Sequence, residues 1–152
     1  MSIKNTVIAQ YQARIDKLAT APVRRVERLP EGWIKSMRKA LGMSAAALAR
    51  RLGRTRSAIG AAERAEIEER ATLASMRTLA EGMGCKFVYA IVPANGRVSD
   101  LIEERVRTKA EQIAKGAQTH MALEDQMLKN EIQIEHIMAE LRHTMPSSLW
   151  DE

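Results

Sequence analysis

MSAAALARRLGRTRSAIGAAER, residues 43–64, decides how the rest of the chain is read. Ser44 is a good helix N-cap, and Ala47, Leu48, Arg51 and Leu52 follow at helical spacing with the two leucines on one face. Gly53 stands where a left-handed residue ends a helix at least cost. Thr55 then caps a second helix, with Ala58, Ile59 and Ala62 inward and Arg56, Ser57, Gly60, Ala61 and Arg64 outward. That outward face is polar, basic and sterically low.

Two short helices joined by a glycine-containing turn, the second with a cationic start, is the arrangement that lays a recognition helix in the DNA major groove. On this reading Arg56 is suited to a bidentate contact with guanine O6 and N7, with Arg54 beside it. The Ser57 hydroxyl can meet a base or a phosphate, and Ala61 can touch a thymine methyl. Phosphate contacts are expected from Arg38, Lys39, Ser44, Arg50, Arg51, Thr55 and Arg64. Gly60 weakens the helix by about 1 kcal/mol relative to Ala. It is either a tolerated weak spot or a place where backbone approaches DNA closely.

These residues resemble the Cro/phage-repressor (Xre-type) helix-turn-helix family over roughly Gly32 to Gly84. A first helix precedes the pair, WIKSMRKALGMS, and a later one closes the core, TLASMRTLAEGMG. Where that family often carries Gln after the cap and polar residues along the recognition helix, this chain has Ala45, Gly60, Ala61 and Ala62. The departure shifts weight onto Arg54 and Arg56. A narrower resemblance, to the mobile mystery protein A subfamily, spans most of the chain. It is carried by RRVERLPEGWIKSMRKALGMS, ALARRLGRTRSAI, TLASMRTLAEGMGCKFVYAIVP, an HTMALE-like stretch at Thr119 to Glu124, and the terminal Leu149-Trp150. That resemblance implies an antitoxin or autoregulator encoded beside a Fic-domain protein, in a toxin–antitoxin arrangement.

The flanks complete a mainly α-helical expectation: a helix-turn-helix bundle with one short β-strand and N- and C-terminal helices. Residues 1–20 read as an amphipathic helix whose stripe is Ile3, Val7, Tyr11, Ile15 and Leu18, with Asp16 off it. The stripe needs cover from the C-terminal helices or from a second chain, the former favoured. Residues 21–30, APVRRVERLP, are bounded by prolines and read as an extended basic arm. Its Arg24, Arg25 and Arg28 either follow the DNA or simply line a linker or edge strand. Within the domain, 31–84, Trp33, Ile34, Met37, Ala40 and Leu41 form the expected buried stripe of the first helix, with Trp33 as core anchor. Glu66, Glu68 and Glu69 read as a solvated turn, and no metal site is expected.

Residues 85–92, CKFVYAIV, read as the strand, with Phe87, Val88, Tyr89, Ala90 and Ile91 at its centre. It needs a partner: the 23–29 arm, the same strand of a second chain, or a strand of another protein. A two-fold ribbon is favoured, since a palindromic operator calls for two recognition helices. Cys85 has no second Cys in the chain and is expected to be an inert core residue. Residues 98–145 read as a helical hairpin, capped by Ser99, whose methionine-rich second face either binds a partner or packs on the N-terminal helix. His120, His136 and His143 are not spaced to share an ion.

Charge divides the chain. The net charge is +5, yet from Ala21 to Gly60 ten Arg and Lys stand against two Glu, while from Met121 to Glu152 seven acids stand against Lys129 and Arg142. One end suits a polyanion and the other does not. A single cysteine fits a reducing compartment, and no stretch approaches the roughly 20 apolar residues of a membrane span. The expectation is therefore a cytoplasmic, homodimeric repressor of an inverted repeat in double-stranded DNA, without membrane contact, cofactor or catalytic residues. The alternative is a protein-interaction module that neutralises a partner enzyme, a Fic-domain protein on the resemblance, through its helical ends. No [Ser/Thr]-x-x-x-Glu-[Gly/Asn] hexad of the Fic-inhibitory kind occurs, since the near miss at Glu81-Gly82 has Arg77 in the first position.

Overall fold

The computed structural model describes residues 2–117 and 124–152. The HTMALE-like stretch and His120 lie outside those residues, apart from Glu124. Helices α1 (Ile3–Leu18), α2 (Ala21–Arg24), α3 (Trp33–Ala40), α4 (Ala45–Leu52), α5 (Arg56–Ile67), α6 (Leu73–Gly82), α7 (Val98–Ala117) and α8 (Glu124–Thr144) are followed by a 3-10 turn, Ser147–Trp150. They fall into two compact units. One is Arg25–Ala90, with α3 to α6; the other joins 1–24 to 91–152.

In the first unit the core is Ile34, Leu48, Ala49, Ile59 and Leu79, from the four helices, with Met83 at the C-cap of α6. Met37, Leu52, Ala62, Met76 and Cys85 pack around it. Helices α4, α5 and α6 begin where local chemistry dictates. Ser44 Oγ accepts from Ala47 N, Thr55 Oγ1 from Ala58 N, and Thr72 Oγ1 from Ser75 N, each satisfying an otherwise orphaned first-turn donor. Gly53 closes α4 in the left-handed region (φ 64°), and Arg54 N–H reaches back to Ala49 O at 2.8 Å. The α5 helix runs on through Ile67 before Glu69, at φ 59°, ends the turn.

Four expectations are corrected here. Ala21–Arg24 is a helical turn rather than extended chain; Pro22 sits in its first turn, where the missing N–H costs nothing. Trp33 is 49% exposed because it is the first residue of α3, and Ile34 takes the buried position. Ala40 and Leu41 are exposed as well, at the far end of the same helix. No strand occurs among the described residues: 85–92 carries no ladder. Strand propensity alone cannot make one, because a strand is defined by the backbone partners it pairs with.

The second unit is built on α7 and α8. Glu103 meets Arg142, and Val106, Ala110, Met138, Leu141 and Leu149 form the core with Ile102, Ile134 and Ile137, a register that runs the two helices antiparallel. The α7 helix starts at Val98, not after Ser99. Arg97 N–H donates to Asp100 Oδ2 (2.7 Å) and Val98 N–H to Asp16 Oδ1 (3.0 Å), so carboxylates do the capping. Leu149 is fully buried, and its carbonyl accepts from Arg105 Nε at 2.6 Å.

The stripe expected on α1 is also corrected. Asn5, Ile8, Gln12, Ile15 and Asp16 are the half-buried positions, while Ile3, Val7, Tyr11 and Leu18 remain exposed. Polar bonds decide the rotation of the helix. Asn5 Nδ2 donates to His143 O (3.0 Å), Lys4 Nζ to Met145 O, and Asp16 reaches Val98 N, which turns those residues inward.

Candidate nucleic-acid interface

Helix α5 is fixed by its inner face: Ile59 is fully buried, with Ala58 and Ala62 half-buried beside it. That register leaves Arg56, Ser57, Ala61 and Arg64 exposed along one side, with Arg54 exposed in the three-residue turn before it. Among the described residues no acceptor takes the guanidinium of Arg50, Arg54, Arg56 or Arg64. These four cations, the Ser44 and Thr55 caps and the Ser57 hydroxyl line two short helices and the turn between them. Cations without an internal counterion are the ones free to neutralise phosphate or meet a base edge.

Other basic residues are occupied. Arg38, expected on phosphate, is corrected to an internal role. Its Nε donates to Glu63 Oε1 at 2.7 Å, its Nη2 to Glu63 Oε2 at 3.4 Å and its Nη1 to Met43 O at 3.0 Å. The two side chains are only 11% and 10% exposed. Arg51 Nε donates to Gly82 O (2.7 Å), which ties α4 to α6. Lys39 Nζ pairs with Glu31 at 2.9 Å, an exposed contact worth little by itself and easily exchanged for a phosphate. That hydrogen bond and the Lys39 charge hold the Glu31 carboxyl below the usual carboxylate range.

The three arginines of the expected arm are not equivalent. Arg24, on α2, donates from Nε to Ala19 O (3.1 Å) and from Nη2 to Gly96 O. Arg28 is spent on Glu69 Oε1 (2.9 Å) and Ile67 O. Arg25 is exposed, with no internal acceptor among the described residues.

Two carboxylates that position the interface escaped sequence reasoning. Glu63 stands one turn beyond Ile59 on the inner face of α5, and a carboxylate on an apolar face was the signal that it faces a cation. Glu66 accepts from the N–H groups of Trp33 (2.9 Å) and Ile34 (3.3 Å), so α5 caps α3 across the unit. No local pattern announces that bond, since its partners lie 33 and 32 residues away. A side chain on Gly32 (φ 81°) would strike the Glu66 carboxylate, its Cβ falling 1.9 Å from Oε2. Glu68 and Glu69 are exposed and paired with Arg70 and Arg28. Among the described residues no group of three or more His, Cys, Asp or Glu is placed to hold a metal ion, and no helix is long and apolar enough to cross a membrane.

Residues 34–89 match a family model described as Helix-turn-helix. No curated protein and no solved structure matches the chain.

Proposed function

We propose that this protein is a sequence-specific DNA-binding transcriptional repressor, acting as a homodimer on an inverted repeat in the cytoplasm. The observation that carries the reading is the outer face of α5. A recognition helix is held by the Thr55 cap and the buried Ile59, and it presents Arg56, Ser57, Ala61 and Arg64 without partners among the described residues. Arg56 reads guanine, supported by Ser57 and Arg54, and Ala61 contacts a thymine methyl. Arg50, Arg64 and Lys39 supply phosphate contacts, with Ser44 and Thr55 at the two helix starts. Arg25 is the one arm residue available to follow the backbone of the duplex.

Arg56→Ala separates base readout from simple attraction. The substitution is expected to cost ~1–3 kcal/mol on the cognate duplex and little on random DNA. Equal losses on both would make Arg56 a phosphate clamp and remove the readout assigned to it. Arg50→Ala is expected to weaken both duplexes alike and to lower the salt slope by about one unit.

The antitoxin role and the Fic-domain partner rest on the resemblance to the mobile mystery protein A subfamily. Co-purification with the Fic protein encoded next to this gene tests them. Absence of a complex at micromolar concentration would remove that partner and leave the DNA reading standing.

A further inference from the structure

Residues 85–93 form no helix, turn or bend. Among the described residues, no backbone N–H or C=O from Lys86 to Ala90 pairs with other backbone. Phe87 and Tyr89 stack on one side with ring centroids 5.7 Å apart, as residues two apart do in extended chain. By the same alternation Lys86, Val88 (73% exposed) and Ala90 take the other side. The segment therefore has the shape of a strand with two open edges of donors and acceptors, to which another strand adds.

Within the chain, the 23–29 arm is otherwise occupied: residues 23 and 24 end α2, and Arg28 bonds Glu69 and the Ile67 carbonyl. A second copy fits instead, because the stretch matches itself when reversed. In an antiparallel pair centred on Val88, Val88 faces the partner's Val88, Phe87 faces the partner's Tyr89, and Lys86 faces the partner's Ala90. Both aromatic pairs then form across the strands, and Lys86, the only charged residue of 85–92, never meets its own copy. A two-stranded ribbon is marginal in water by itself. Here each strand leaves a folded core directly, since Cys85 packs against that of the first unit and its N–H bonds Ala80 O at 2.8 Å.

We infer that residues 86–90 of two copies pair as an antiparallel ribbon on a two-fold axis through Val88. This rests on the dimeric reading above and names the surface that it uses. With no spacer between Cys85 and the ribbon, the pairing also sets the distance between the two recognition helices, and hence the half-site spacing. Its test needs no DNA, so its failure and that of duplex binding are told apart.

A residue on the axis opposes itself, which gives a distinctive charge test. Sedimentation of the full chain is expected to show a dimer, Val88→Glu and Val88→Lys each a dimerisation constant weakened about tenfold or more, and their equimolar mixture a recovered heterodimer. Recovery on mixing also shows that both variants are folded. Register is read by disulfides, with each new cysteine placed in a Cys85→Ser background. Val88→Cys alone is expected to oxidise to a covalent dimer. Lys86→Cys is expected to do so only when mixed with Ala90→Cys, because the two copies of residue 86 lie roughly 14 Å apart along the strands. A monomeric wild type, no recovery on mixing, or a disulfide from Lys86→Cys alone in preference to Val88→Cys would overturn the ribbon.

Discussion

Gly60 has open space around it: a Cβ there would meet nothing nearer than Arg64 Nη1 at 3.6 Å. Nothing inside the fold requires glycine, and helix propensity disfavours it by about 1 kcal/mol. Gly60→Ala is therefore expected to raise the unfolding free energy by roughly that amount. If backbone approaches the duplex at this point, the same variant loses DNA affinity while gaining stability. Unchanged affinity would make Gly60 a tolerated weak spot. Arg38 and Glu63 give the opposite case. Breaking a buried, hydrogen-bonded pair from one side leaves a charge without its partner, so Arg38→Ala or Glu63→Ala is expected to cost ~3–5 kcal/mol in denaturant unfolding. Replacing both with apolar residues of similar volume is expected to recover most of the loss. A phosphate role for Arg38 would show instead as a reduced salt slope with stability intact.

At the scale of elements, what was legible in the sequence is what local chemistry decides. The caps at Ser44 and Thr55 and the stop at Gly53 depend on residues three or four apart, and all three are as expected from the sequence. The inner and outer faces of α5 follow from the same short-range period. The misreadings depend on partners distant in sequence. The α1 helix was given the wrong inner face because Ile3, Val7 and Tyr11 outrank Asn5 and Gln12 in hydrophobicity, whereas bonds to residues 138 and 141 positions away set its rotation. The 85–92 segment has strand composition, but composition cannot supply the partner a ladder needs. Glu66, expected in a solvated turn, instead caps α3 from 32 and 33 residues away, a distance no local pattern reports.

The α7–α8 hairpin carries a pH signature of its own. Arg142 hydrogen-bonds Glu103, with Nε at 2.9 Å from Oε2, and holds that carboxyl below its ordinary value; Glu103 in turn raises the Arg142 guanidinium. A carboxyl depressed on folding stabilises above its unfolded value and loses that contribution as pH falls through the folded one. Thermal unfolding of the wild type is therefore expected to lose this increment below about pH 4.3, and Glu103→Gln to remove it at neutral pH. The pair is largely exposed, so the change is small; no difference in pH slope between wild type and Glu103→Gln would contradict the assignment.

Across the whole molecule, charge is unevenly divided. The basic excess falls in and just before the helix-turn-helix, and the acidic excess in the last helix. Side chains then decide which of the ten cations counted from Ala21 to Gly60 can act outward. Arg38 is held in an ion pair, Arg24 and Arg51 are engaged on carbonyls and Arg28 on Glu69 and the Ile67 carbonyl, while among the described residues Arg25, Arg50, Arg54 and Arg56 have no internal acceptor. That sorting was not visible in sequence, where every arginine counts alike. It narrows the proposed DNA-facing set to Arg25 and the strip of Arg50, Arg54 and Arg56, and sequence readout by that strip is the central proposal. Fluorescence anisotropy on a duplex from upstream of the protein's own gene, titrated against random duplex at two salt concentrations, tests it most directly. The account predicts a preference of roughly a thousandfold or more, with two chains per site. Equal and steeply salt-dependent binding to both duplexes would contradict it, leaving a basic surface without sequence readout.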